Sequence, residues 1–171
     1  ETACARINNK NKVVQIANYN CPGQVVISGE KGAVEEAMNY AKELGAKKTL
    51  ALPVSAPFHC PLMNPAEERL QAELEKKIFS DPSFPIVVNV KGEAVTTGLE
   101  AKEALKRQIT SPVRWEESMR YLLSKGIEAV IEVGPAQVLL GLLKRIDKGV
   151  IGLGVEDTGS LQKTLQVLKA R

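Results

Sequence analysis

The sequence predicts an α/β protein in two parts, a main part built on a parallel sheet and a smaller split β-α-β unit ahead of it. Three observations carry this. Pro85-Ile86-Val87-Val88-Asn89-Val90 and Ala129-Val130-Ile131-Glu132-Val133 are continuous apolar runs bounded by turn residues, the mark of strands covered on both faces as in parallel sheets. Stretches with apolar residues at helical spacing alternate with these runs. Before them the order helix, strand, strand, helix, strand describes a split β-α-β unit lacking its first strand and most of its first helix. The small unit is expected over residues 1–54 and the main part over residues 55–171.

In chain order, Glu1 to Ile7 has helical composition, and Asn8 to Lys12 is loose. Val13–Ala17 and Gln24–Ser28 read as strands joined by Cys21-Pro22-Gly23, a hairpin. Val34, Ala37, Met38, Ala41 and Leu44 mark a helix ended by Gly45. Thr49–Pro53 reads as a short strand. Pro61 suits a first helical turn, and Leu62, Ala66, Leu70, Leu74 and Ile78 carry that helix to about Phe79, before Ser80-Asp81-Pro82. A loose stretch follows from Val90 to Gly98. Helices are expected from Glu100 to Ile109 and from Val113 to Lys125, the second with Trp115, Met119, Leu122 and Leu123 on its apolar face. After the strand at Ala129–Val133, Gly134-Pro135 turns the chain into a helix over Val138–Ile146. Val150–Leu153 forms a strand, and Leu161, Leu165 and Leu168 a closing helix.

Composition excludes several function classes. With 44% hydrophobic and 25% charged residues over 171 positions, no apolar run approaches the ~20 residues that cross a bilayer, so no membrane partner is expected. The 23 basic and 20 acidic residues are interspersed, without the basic tract of a nucleic-acid surface. Cys4, Cys21 and Cys60 are odd in number and widely spaced, which favours free thiols in the cytoplasm over disulfides. Neither they nor the histidine show zinc-ligand spacing. No export signal opens the chain. There is no initial Met, and Glu1–Ile7 reads as though the chain opens inside a helix, so a piece of a longer protein is expected.

Chemistry centres on Ala56-Pro57-Phe58-His59-Cys60-Pro61, which holds the single histidine. Histidine is the side chain whose ordinary pKa lies nearest neutrality, so it is the first candidate for proton transfer. Cys60 is adjacent, but neighbouring side chains on an extended loop point apart, and a packed thiol is the better reading. No serine sits in G-x-S-x-G. No phosphate loop or dinucleotide fingerprint occurs, and Gly152-Leu153-Gly154 is too short to count. The acid pairs Glu35-Glu36, Glu67-Glu68 and Glu116-Glu117 read as solvated helix faces.

Four strings in order, Asn18 to Gly29, Pro53 to Met63, Arg107 to Trp115 and Glu132 to Pro135, resemble the malonyl-CoA:acyl carrier protein transacylase family. The resemblance covers nearly the whole chain. It implies an α/β-hydrolase-like core joined to a ferredoxin-like small subdomain, of which this chain holds the carboxyl-terminal portion. It also implies ping-pong acyl transfer: a serine attacks the malonyl thioester, a histidine takes its proton, and the malonyl group passes to the phosphopantetheine thiol of acyl carrier protein in fatty acid synthesis. His59 matches that histidine. Gln108 matches the position whose backbone carbonyl orients the imidazole, Asn18, Asn20 and Gln24 the turn bordering the substrate channel, and Phe58 a residue that favours malonyl over bulkier groups. Malonyl-CoA enters as substrate, and no cofactor is implied.

The family's serine elbow, its carboxylate-binding arginine and its Gly-Gln-Gly segment have no counterpart in these residues. An amino-terminal segment carrying the serine is therefore an expected partner, and this chain alone is expected to be inactive. Ala136 stands where E-V-G-P-G has its second glycine. The alternative is a non-catalytic module that binds CoA or acyl carrier protein, the latter through Lys106, Arg107, Arg114, Lys144 and Arg145.

Overall fold

The computed structural model describes residues 1–8 and 11–170. Part of the loose Asn8 to Lys12 stretch, Asn9 and Lys10, lies outside them. The architecture is α/β with three two-stranded sheets among the described residues. Helix α1 (Thr2–Asn8) leads into strands β1 (Val14–Cys21) and β2 (Gln24–Gly29), which pair antiparallel. Helix α2 (Lys31–Glu43) packs against them. Cys4, Ile7, Val14, Ile16, Ala33 and Ala37 form the core here. Ala33 and Ala37 lie one turn apart, and their small side chains let α2 approach the hairpin closely. Gly45, at φ 92°, ends α2 by a Schellman closure: its N–H donates to Lys42 O and that of Ala46 to Ala41 O, each at 2.9 Å.

Thr49–Pro53 does not form the expected strand. Leu50, Leu52 and Val54 are exposed instead. A strand needs a ladder, and Thr49–Pro53 pairs with no strand among the described residues; the outer edge of β1 carries an isolated parallel bridge from Val113 to Asn18 instead. The hairpin and α2 form where the sequence predicts them, and the strand expected after them does not.

A single 3-10 turn (Pro61–Met63) precedes α3 (Asn64–Glu75). The helix stops short of Phe79, and Ile78 is 96% exposed. No residue of α3 is buried, so a further turn would gain no packing to offset its ordering cost.

The run at residues 85–90 is also different from its reading. β3 (Ile86–Val88) pairs antiparallel with β4 (Glu93–Val95), which the sequence placed in a loose stretch. The turn between them contains Gly92 at φ 72°. A run of apolar residues cannot distinguish a central parallel strand from a hairpin strand, and Lys91-Gly92 was the turn signal. Helix α4 (Gly98–Gln108) starts two residues before the expected Glu100, under a capping box between Thr97 and Glu100.

Helix α5 (Trp115–Ser124), strand β5 (Ala129–Val133), helix α6 (Val138–Ile146), strand β6 (Ile151–Val155) and helix α7 (Thr158–Lys169) complete the chain. β5 and β6 pair in parallel, as the sequence predicts for this region. Met119, Leu140 and Leu143 are the core between α5 and α6, with Trp115, Val130 and Ile146 against them. Gly152 and Gly154 let α6 lie close: a Cβ on either would come within 2.9 Å of Leu140 or Gln137 side-chain atoms. Their role is packing. Glu132 accepts the N–H groups of Leu139 (3.2 Å) and Leu140 (2.9 Å), satisfying the start of α6 from the strand it follows.

Two outcomes follow. Ala136 holds a left-handed φ of 66°, which costs an L-residue roughly 1–2 kcal/mol. Ala136→Gly should stabilise the fold by about 0.5–1 kcal/mol, read as a raised urea midpoint at unchanged m. The Glu100 carboxyl sits below its usual range because Thr96 N–H and then Thr97 donate to it, and Asp157 likewise because of Ser160 N–H. Such depressed groups stabilise above the unfolded pKa and lose that contribution as pH falls through the folded one. The first turns of α4 and α7 should therefore loosen only below the ordinary values of 4.5 and 3.8. Chemical shifts of the Glu100 and Ser160 amides across an acid titration would follow this.

Candidate active site

The site is assembled around the outer edge of β1. Tyr19 N–H donates to Val113 O (2.9 Å), and Val113 N–H donates to Ala17 O (2.8 Å). β1 is irregular here, its register with β2 slipping between Ile16 and Asn18 and again between Tyr19 and Cys21. Such bulges turn backbone groups away from the main ladder. The first slip leaves the Ala17 carbonyl free to take Val113. Because Val113 belongs to this bridge, α5 begins at Trp115 and not at Val113.

Anchoring Val113 fixes the segment from Gln108 to Pro112 behind it. The Gln108 carboxamide closes this turn by donating to Ser111 O (3.0 Å) and Pro112 O (3.3 Å). Its backbone carbonyl lies 2.9 Å from His59 Nδ1. A carbonyl only accepts, so Nδ1 donates, and in the neutral imidazole Nε2 then keeps a free lone pair. His59 N–H donates to Ile109 O at 3.1 Å. His59 is half-buried and adopts a left-handed φ of 61°, a conformation uncommon outside glycine and frequent at functional sites.

Gln15, on β1, was missed by the sequence reading. Its Nε2 donates to His59 O (2.7 Å) and to Thr110 O (3.0 Å). Nothing in the local pattern marks it, since a polar residue between Val14 and Ile16 reads as ordinary strand alternation. Glu67, assigned to a solvated face, in fact accepts from Thr110 Oγ1.

The other candidates are placed less centrally. Phe58 is 51% exposed. Asn18 and Asn20 are half-buried on β1, and Gln24 opens β2. Among the described residues none of these three hydrogen-bonds to His59. The Gln24 carboxamide oxygen is engaged by Arg145 of α6, which also reaches Pro22 O at 3.4 Å. Cys60 is fully buried, its thiol donating to Pro57 O at 3.1 Å, and Cys4 and Cys21 are buried free thiols too. Burial pushes the Cys4 thiol up from its ordinary pKa. Of the basic residues, Lys106 pairs with Glu103 and Arg114 with Glu117, while Arg107 and Lys144 are exposed.

Removing the Gln108 side-chain donors should unlock the turn that aims its carbonyl. Gln108→Leu is expected to cost about 1–3 kcal/mol, the price of leaving two part-buried carbonyls unpaired, measured by urea unfolding.

The acyl transferase domain family model matches residues 1–158. The malonyl CoA-acyl carrier protein transacylase of Bacillus subtilis is 41% identical over 164 residues, 96% of this chain and 52% of that protein. Among solved structures, an acyl carrier protein S-malonyltransferase from Vibrio cholerae superposes with a TM-score of 0.92 at 46% identity, covering 95% of this chain and 53% of that one. A malonyl-transacylase in complex with its type II PKS acyl-carrier protein gives 0.92 at 42% identity, covering 96% and 53%. The chain spans about half the length of the curated relatives it matches. With the model matched across most of its length, this chain belongs to the acyl transferase domain family.

Proposed function

We propose that the chain is the carboxyl-terminal half of an acyltransferase that moves a malonyl group from CoA to the phosphopantetheine thiol of acyl carrier protein in fatty acid synthesis. The observation that carries this is the hydrogen bond from His59 Nδ1 to Gln108 O at 2.9 Å. It leaves Nε2 as a base whose direction is set by backbone, in the place a triad carboxylate otherwise fills.

In this reading a serine on the complementary half attacks the thioester carbonyl while Nε2 takes its proton. The tetrahedral intermediate collapses, the carbon–sulfur bond breaks, and the imidazolium returns the proton to the departing CoA thiolate. The acyl-enzyme then meets the carrier thiol. His59 takes the thiol proton as sulfur attacks, and gives it back to the serine oxygen as the ester breaks. Atoms balance without a cofactor. Phe58 and the Asn18–Gln24 turn would border the acyl and pantetheine groups. We assign residues 1–54 to the ferredoxin-like subdomain and residues 55–171 to the α/β-hydrolase-like core, and place the enzyme in the reducing cytoplasm, which suits its free thiols.

The surface supports a missing complement. The chain exposes 11126 Å², whereas a compact chain of 18.6 kDa would expose about 8,200 Å². Ile131 and Val133, on one face of the β5–β6 pair, are 42% and 80% exposed, although parallel sheets are normally covered on both faces. No helix among the described residues is long and apolar enough to cross a membrane, so a lipid surface does not account for them as a span.

Malonyl transfer from malonyl-CoA to acyl carrier protein, assayed with this chain alone and joined to its complementary half, tests the proposal. The joined enzyme should turn over and the chain alone should not. His59→Ala in the joined enzyme should cut transfer about 10²–10⁴-fold. Intact transfer by that variant would favour the non-catalytic binding module instead.

A further inference from the structure

Gln15 occupies a position that its strand does not require. Val14 and Ile16 beside it supply the buried apolar contacts of β1, and its backbone is paired opposite Ser28. Its side chain instead leaves the hairpin and spends both carboxamide hydrogens on two separate loops, at His59 O (2.7 Å) and Thr110 O (3.0 Å). The orientation of the carboxamide is unambiguous, because turning it over would set its oxygen against two carbonyl oxygens.

These two loops are the ones whose relative position decides the imidazole's direction. Thr110 lies two residues beyond Gln108, whose carbonyl meets Nδ1 at 2.9 Å, and Ile109 O accepts His59 N–H at 3.1 Å. The contacts close a ring: Gln15 carboxamide, His59 backbone, imidazole, Gln108 carbonyl, Thr110 carbonyl and back to Gln15. His59 holds a left-handed φ of 61°, which costs roughly 1–2 kcal/mol and must be maintained from outside the residue. We propose that Gln15 is a positioning residue for His59, clamping its strained backbone to the segment that carries the Gln108 carbonyl and so holding the imidazole in the Nδ1–H tautomer. The inference rests on the assignment of His59 as the base, and it acts through His59 without touching substrate.

His59 is the single histidine of the chain, so a histidine-selective 15N spectrum reports its tautomer without ambiguity and without any activity assay. In the 171-residue chain the Nδ1–H form should dominate. Gln15→Met keeps the length of the side chain and removes both donors. It should lower the ratio of Nδ1–H to Nε2–H tautomers about fivefold or more, the equivalent of one net hydrogen bond of about 1 kcal/mol. Val14→Ala, a cavity in the same strand with no polar contact to His59, should leave that ratio unchanged.

An unchanged ratio in Gln15→Met with a dispersed spectrum would overturn the proposal, as would an equal shift in Val14→Ala. Should Gln15→Met not hold the fold, Gln15→Asn, which withdraws the amide by one methylene, is read by the same criteria. In the joined enzyme Gln15→Met should lower kcat about ten- to a hundredfold with KM for malonyl-CoA unchanged, and a raised KM at unchanged kcat would count against it. The parent reading fails separately, through His59→Ala retaining transfer, and that result would leave the tautomer measurement standing.

Discussion

The bridge between the outer edge of β1 and Val113 is the constraint on which the rest of the site depends. It consists of two backbone hydrogen bonds, yet it joins the hairpin near the amino terminus to the segment after α4. Without it the segment that follows α4 would lose its tie to the hairpin, and the carbonyls of Gln108, Ile109 and Thr110 that meet His59 or Gln15 would lose a support. A slip in register at Ala17 makes the bridge possible. An irregularity in a strand that sequence patterning treats as a minor defect therefore sets where an imidazole points.

Using a backbone carbonyl as the partner of Nδ1 has a physical consequence. A carbonyl fixes the tautomer by geometry alone and brings no formal charge to the imidazole, so precision in the backbone replaces the electrostatic pull of a carboxylate. That precision has visible supports: the Gln108 carboxamide across its own turn, the Gln15 carboxamide across two loops, and the Thr110 hydroxyl on Glu67. Each is a side chain spent on main-chain position. The Gln108 side chain, incidental if only its carbonyl mattered, holds the turn that presents that carbonyl.

The same chain carries a large apolar surface, and the two facts belong together. In the proposed reading His59 is a base that acts only when a nucleophile is brought to it. The sheet face at Ile131 and Val133 and the residues around Leu50 and Val54 are where the remainder of the proposed enzyme would find cover. Local order at His59 comes from the β1 edge and the segment after α4, so the imidazole is oriented by contacts within this chain.

Much of this was legible in residue order. Periodicity located α2, α5, α6 and α7, turn chemistry located the β1–β2 hairpin, and the lone histidine in a proline-flanked loop marked the candidate base. The misreadings share a cause: Thr49–Pro53, Phe79 and the run at Pro85–Val90 were judged from local composition, whereas strands and last helical turns exist only where another element takes their hydrogen bonds or covers their side chains. What the sequence by itself determined was therefore the inventory of elements and chemistry, because propensity, turn residues and side-chain type are local. The tertiary structure alone decided that Gln15 reaches His59 and that the Gln108 carbonyl meets Nδ1. Those contacts join residues 44 and 49 positions apart, and no local pattern encodes the bulge and bridge that bring them together.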